Sequence, residues 1–236
     1  VGAVPEMIDW RFILAKHILS RKWAFGYMWT WNTHISDSED FNDPIILKNG
    51  TDMIDAGACF GTWAIRASPY YRRIFALEPF PENYKALVKN IEINRCGNIT
   101  PLNVAVAGEE GEARLFSYGD HAWGEPSLLK EHMGHSSTSS IMTSLTTIDS
   151  LVDRYDIQPS IIKIDVEGAE NEAILGAKRT ITKYHPGLVI EVHTPDDPRR
   201  LVANYVWKES YRYLNGDVWS VKDDRQLHLY GTFNEN

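Results

Sequence analysis

The stretch Thr51-Asp52-Met53-Ile54-Asp55-Ala56-Gly57-Ala58-Cys59-Phe60-Gly61 constrains this chain more than any other. A short apolar strand around Met53 and Ile54 carries Asp55 to its carboxyl end. Gly57 and Gly61 then let the backbone turn tightly and leave room beside it for a ligand. The following helix starts near Thr62 or Trp63 and turns its positive end back on the loop. Arg73 to Leu77 reads as a second strand, ending at Glu78, where a carboxylate can accept hydrogen bonds from two ribose hydroxyls. Strand, loop, helix, strand and terminal acid read together as a nucleoside-binding βαβ unit.

Spacing separates the kinds of nucleoside ligand. A G-x-G-x-x-G run directly after a strand admits a pyrophosphate. Here the order is Asp55-x-Gly57-x-Cys59-x-Gly61, with the acid first. That order resembles the class I methyltransferase fingerprint, an acid followed by glycines at alternate positions, with Cys59 in place of the middle glycine.

A chain of 236 residues that is 43% hydrophobic can bury one sizeable core. The expected organisation is a helical and aromatic cover segment over residues 1–48 and one α/β domain over 49–236. The formal net charge of −8 disfavours a polyanion partner, which would require clustered Lys and Arg. The two cysteines, Cys59 and Cys96, make no disulfide framework, and a reducing, cytoplasmic setting is expected. No run of eighteen apolar residues and no leader pattern argues for membrane spanning or secretion.

Along the chain, Met7 to Leu19 carries Ile8, Phe12, Ala15 and Leu19 at helical spacing. Trp23, Phe25, Tyr27, Trp29 and Trp31 alternate as in a half-buried strand or a loop closing over a ligand. Pro81 to Asn94 reads as a helix with Tyr84, Leu87, Val88 and Ile91 on its apolar face. Ile99 to Ala105 reads as a third strand, and Gly108 to Gly111 as a hairpin turn into Glu112–Ser117. Tyr118 to Ser144 is a long Gly-, Ser- and His-rich excursion. Thr147 to Leu151 starts a short helix, and Ile161 to Ile164 is a buried fourth strand that delivers Asp165. A helix opening at Val166 to Glu170 should turn Ala173, Ile174, Ala177 and Ile181 to the sheet, with Glu167 and Glu170 available to cap it. Leu188 to His193 is a fifth strand, Pro198 to Ser210 a last helix, and Tyr211–Leu214, Val218–Val221 and Leu227–Phe233 terminal strands with a hairpin.

Several of these blocks together resemble the FkbM family of methyltransferases. They are Asp55 to Gly61; Ala76-Leu-Glu-Pro-Phe-Pro-Glu-Asn83 with Asn90, Ile91 and Asn94; Thr147-Ile-Asp149; Ile162 to Glu170; and Ile190-Glu-Val-His193. The resemblance implies a doubly wound, mostly parallel seven-stranded sheet with an antiparallel final strand. It also implies S-adenosylmethionine as cofactor, and methyl transfer to a hydroxyl of a sugar-type or other small acceptor. By position, Asp55 would hold loop amides or contact the cofactor's amino group. Gly57, Ala58, Cys59 and Gly61 would admit its methionine portion, Glu78 and Pro79 would meet its ribose, Ala105 would flank adenine, and Asp165 would lie near the methyl group.

Methyl transfer to a hydroxyl needs alignment and removal of a proton. His193 is the candidate base, with Asp165 or Glu191 to orient it. The same three side chains could instead hold a divalent metal, although none is expected. His121, His132 and His135 lack tight ligand spacing and read as solvent- or substrate-facing. The expected partner is a small-molecule or glycan-type acceptor, with neither nucleic acid nor membrane.

Overall fold

A computed structural model describes residues 50–117, 126–132, 135–137, 139–192, 222–223 and 226–231. Three strands start the sheet: β1 (Gly50–Ala56), β2 (Tyr71–Leu77) and β3 (Ile99–Leu102). After β1 comes α1 (Thr62–Ala67), and after β2 comes α2 (Pro81–Asn94). Next in the chain are β4 (Ala105–Val106), β5 (Gly111–Ser117), β6 (Glu131–His132), β7 (His135–Ser136) and β8 (Ser139–Thr146). The second half holds α3 (Ile148–Tyr155), β9 (Pro159–Ile164), α4 (Glu170–Leu175), α5 (Lys178–Tyr184), β10 (Gly187–Val192), β11 (Lys222–Asp223) and β12 (Gln226–Gly231).

The main sheet has seven strands in the order β11-β12-β10-β9-β1-β2-β3. From β10 to β3 every pairing is parallel, and β12 runs antiparallel to both β10 and β11. This is the mostly parallel, doubly wound sheet with a terminal antiparallel hairpin that the sequence predicts.

Parallel strands covered on both faces read as unbroken apolar runs, because neither face meets water. One face packs Ile54, Ala56, Ile162, Ile164, Leu188 and Ile190 against α3, α4 and α5. The other packs Met53, Ile74, Ile161 and Val189 against α1 and α2.

At the amino edge of the sheet, buried Asp52 accepts from Arg73 at 2.7 and 3.1 Å, from Arg72 at 3.1 Å and from the Gln158 amide at 2.8 Å. Burial alone would raise the Asp52 carboxyl, but these hydrogen bonds and the two guanidinium charges hold it below the usual carboxylate range. Arg73 continues to the Tyr155 and Asp156 carbonyls, tying β2 to the turn before β9. Among the described residues no helix is long and apolar enough to cross a membrane.

Several sequence expectations need correction. The third strand ends at Leu102 rather than Ala105, where the exposed Asn103 leaves the ladder and donates to the Glu78 and Pro79 carbonyls at 2.8 and 3.1 Å. Ala105 and Val106 join a separate sheet of order β4-β8-β5. Gly108 to Gly111 is therefore no hairpin turn, since β8 lies between the two strands it connects. The excursion is also shorter than its composition suggests. Ser139 to Ser144 belongs to β8, where half-buried or buried Ile141, Thr143 and Leu145 alternate with exposed Ser140, Met142 and Ser144.

The helix after Asp165 is in fact two, α4 and α5. Gly176 lies between them, where an added Cβ would run into the Ala107 carbonyl. Ala173, Ile174, Ala177 and Ile181 still face the core. Asp149 accepts from the Arg179 and Thr180 amides at 3.0 and 2.8 Å, and Thr147 caps α3 by accepting from Ser150. The Thr147-Ile-Asp149 block is thus helix-capping scaffold. The Met7–Leu19 helix, the aromatic run, His121, His193, the Pro198–Ser210 helix and the strands at Tyr211–Leu214 and Val218–Val221 lie outside the described residues.

Candidate functional site

Neighbouring parallel strands deliver their terminal acids to one carboxyl edge. Asp55 is paired in register with Ala76 on one side and Lys163 on the other, one residue before β1 ends. Glu78 follows β2, and Asp165 follows β9, its amide donating to the Ala56 carbonyl at 3.0 Å. All three carboxylates are buried, Asp55 at 0%, Glu78 at 3% and Asp165 at 5% exposure.

Glu78 organises the loop. Its Oε2 accepts the Cys59 amide and its Oε1 the Phe80 amide, each at 2.9 Å, with Asn83 Nδ2 3.4 Å from Oε1. A carboxylate has about four lone-pair positions, so one stays open on Oε2, while on Oε1 only the long Asn83 contact could give way to a further donor. Burial drives its pKa from 4.5 up to about 7, against the lowering effect of the two amides and Asn83. Pro79 is half-buried beside it. Ala105, at 4% exposure, sits in β4 opposite Leu145.

The glycines serve the fold more directly than the sequence reading supposed. Gly57 has φ +79°, and a Cβ there would overlap the Asp165 carbonyl oxygen. At Gly61, φ +87°, a Cβ would lie 2.6 Å from Leu87 Cδ1. Both positions therefore also need glycine for packing within the protein. The Gly57 and Ala58 amides donate to the Leu77 carbonyl at 3.0 and 2.9 Å, so Asp55 does not hold loop amides, which corrects that expectation. Cys59 takes a left-handed conformation, φ +49°, where a glycine would be unstrained. Desolvation, reinforced by the charges of Glu78 and Asp165, pushes its thiol well above the ordinary range, which keeps it protonated.

Asp55 is left with polar capacity. Among the described residues neither of its oxygens accepts a hydrogen bond, and its ion pair with Lys163 is 3.4 Å long. A buried carboxylate in that state suits a cationic ligand group.

Further polar residues support this neighbourhood, Lys163 and Ser127 among them without a role predicted from sequence. Lys163 Nζ lies 3.0 Å from Asp165 Oδ2 and 3.3 Å from the Gly57 carbonyl. Its signal was a lone charge inside the apolar run Ile161-Ile162-Lys163-Ile164. On α2, Leu87 is buried and half-buried Tyr84 and Ile91 pack against the same core, as the apolar face predicts, while Asn83 and Asn90 are buried beside them. Asn90 donates to the Phe60 carbonyl at 2.9 Å and so holds the far end of the loop. Glu170 accepts from the Gly168 amide at 2.9 Å, bracing the turn that enters α4 rather than capping the helix. Ser127 joins the remaining excursion to the loop carrying Asp165: its backbone bridges Phe116 and its hydroxyl donates to the Glu167 carbonyl.

For the proposed base, Glu191 lies on β10 with its backbone opposite His228. Its side chain and His193 lie outside what is described. Among the described residues no three His, Cys, Asp or Glu side chains gather as a metal site.

A doubly wound sheet with an acid-led glycine loop after β1 and an acid after β2 defines the class I methyltransferase fold. The Methyltransferase FkbM domain profile matches residues 55–216, and the chain belongs to that family. It is a methyltransferase domain whose cofactor is S-adenosylmethionine. The hexuronic acid methyltransferase AglP of Haloferax volcanii is 26% identical over 178 residues, covering 73% of this chain and 70% of that protein. The crystal structure of methyltransferase FkbM from Methylobacillus flagellatus KT aligns with TM-score 0.53 and 17% identity over 94% of this chain. The chain spans 60% of the length of that solved protein. TrmK of M. capricolum, solved with S-adenosylhomocysteine, aligns with TM-score 0.50 and 15% identity over 84% of this chain and 69% of its own, a likeness of fold.

Proposed function

We propose that the chain transfers a methyl group from S-adenosylmethionine to a hydroxyl of a sugar-type acceptor, with Asp55 and Glu78 as the cofactor's two main anchors. The observation that carries the cofactor part is the state of these buried carboxylates. Asp55 has no hydrogen-bond donor among the described residues, which fits an ammonium, and Glu78 has a free position on Oε2 and only the long Asn83 contact to displace on Oε1, which fits two ribose hydroxyls. Pro79 and Ala105 would border the nucleoside, and Gly57, Ala58, Cys59 and Gly61 the methionine portion. The sugar part is supported by AglP, whose name states a hexuronic acid substrate.

The bound cofactor supplies an electrophilic methyl on a sulfonium. What remains for the protein is alignment and one proton. Asp165 follows β9, the strand next to β1, and Glu191 lies near the end of β10, next to β9, with His193 two residues on in the sequence; on this reading an acceptor at this edge would meet all three. We assign His193 as the base, oriented by Asp165 or Glu191. Residues 1–48 are taken as a cover, residues 49–236 as the catalytic domain and the 118–144 region as part of the acceptor pocket. The reducing cytoplasm is the setting that suits the two free thiols.

Two outcomes are expected. Glu78→Ala should weaken S-adenosylmethionine binding by about 1.5–3 kcal/mol, the range for hydrogen bonds to a charged group. Calorimetric titration reads this directly, and an unchanged affinity removes the assignment. His193→Ala should lower turnover by about a hundredfold with donor affinity little changed, as loss of a general base does. The assay is transfer of labelled methyl from S-adenosylmethionine to uronic-acid-bearing and neutral glycans. Label in the glycan hydroxyl fraction is expected, and label only in protein or nucleic acid would overturn the acceptor class.

A further inference from the structure

Lys163 is a buried cation shared between two strand ends. Its side chain is 5% exposed, with Asp165 Oδ2 at 3.0 Å, Asp55 Oδ1 at 3.4 Å and the Gly57 carbonyl at 3.3 Å. The indole of Trp63, on α1, lies 6.0 Å from the ammonium and covers the group from the helix side. Cys59 and Glu78 face the same cluster from the loops after β1 and β2. The residue serves as more than a filler of the core. An aliphatic side chain would pack there more cheaply than a lysine, since an ammonium taken out of water requires strong partners.

We propose that Lys163 is a positioning residue that tunes Asp55 for the donor's ammonium by dividing one positive charge between Asp55 and Asp165. The proposal rests on the reading of Asp55 as the ammonium anchor. While Asp165 holds Lys163 at the shorter distance, Asp55 keeps enough negative charge to take a second cation.

Two opposite changes should then spoil the same site. In Lys163→Met the two buried carboxylates lose the cation they share, and their repulsion moves Asp55 off the position that receives the ammonium. In Asp165→Asn the ammonium turns wholly to Asp55 and competes with the donor. Removing both together leaves Asp55 free of that repulsion and of competition. A side chain that only packs would show no such compensation, because independent losses add.

The experiment is calorimetric titration of the full chain with S-adenosylmethionine and with 5′-methylthioadenosine, which lacks the amino-acid portion. Stoichiometry gives the folded fraction and Kd reports the site. Lys163→Met and Asp165→Asn should each weaken S-adenosylmethionine about tenfold. The double variant should bind at least about fivefold tighter than either single one. Methylthioadenosine affinity should stay within about twofold throughout, since the ligand has no ammonium to lose. Should Lys163→Met not fold, Lys163→Gln takes its place in the cycle. A double variant as weak as the weaker single one, or a parallel loss of methylthioadenosine, overturns the proposal. Asp55→Ala and Glu78→Ala titrated alongside separate the two levels. If both bind as wild type the donor reading itself fails, and if both are weakened while the cycle is additive, only the role of Lys163 fails.

Discussion

Substituting alanine for Gly57 is expected to cost about 3–5 kcal/mol of stability, combining left-handed backbone strain with overpacking against a main-chain atom. The added methyl would overlap the Asp165 carbonyl oxygen, and backbone cannot rotate away as a side chain can. The two atoms sit where β1 and β9 lie side by side, joined by the Asp165 amide bonding to the Ala56 carbonyl. Any relief must therefore separate the strands that carry Asp55 and Asp165. Urea denaturation of Gly57→Ala measures the cost, and a loss below about 1 kcal/mol would mean the loop can shift without parting the strands.

A second large effect concerns pH. Burial lifts Glu78 from 4.5 to about 7 in the folded chain. The folded state then holds a proton that the unfolded state releases, so stability is greatest below the unfolded value and falls as pH climbs to about 7. A difference of this size corresponds to roughly 3 kcal/mol between about pH 4 and pH 7.5. Glu78→Gln removes the titration, so the stability difference between wild type and variant should change by about that amount across the window. Urea midpoints at half-unit pH steps check it, and a constant difference would show that Glu78 stays ionised when folded. The same ionisation bears on function. Ribose hydroxyls donate best to the carboxylate form, so donor affinity should strengthen several-fold from pH 6 to pH 7.5.

The legible parts of this chain were those with local causes. The start of α2 follows from Pro81 and Glu82, and the β1 loop follows from Asp55, Gly57 and Gly61. Asp165 was placed by the apolar run before it. What stayed hidden depends on partners far along the chain. The order β4-β8-β5 sets a parallel pair beside an antiparallel one, and no turn signal near Gly108 reports that. Asn83 and Asn90 look like solvent residues until Glu78 and the Phe60 carbonyl are folded against them. The glycines are legible from the loop's spacing, while the close approach of Gly57 to the Asp165 carbonyl and of Gly61 to Leu87 depends on strands and helices far along the chain. Lys163 was read as part of an apolar strand, because its carboxylate partners are recognised only when β1 and β9 are neighbours.

The measurement that tests the account most directly is a crystal structure of the full chain with S-adenosylhomocysteine. The account predicts both ribose hydroxyls within about 2.6–3.2 Å of the Glu78 carboxylate and the amino group at Asp55, directly or through one water. A nucleoside bound away from the loop between Asp55 and Gly61, or a ribose turned from Glu78, would contradict it.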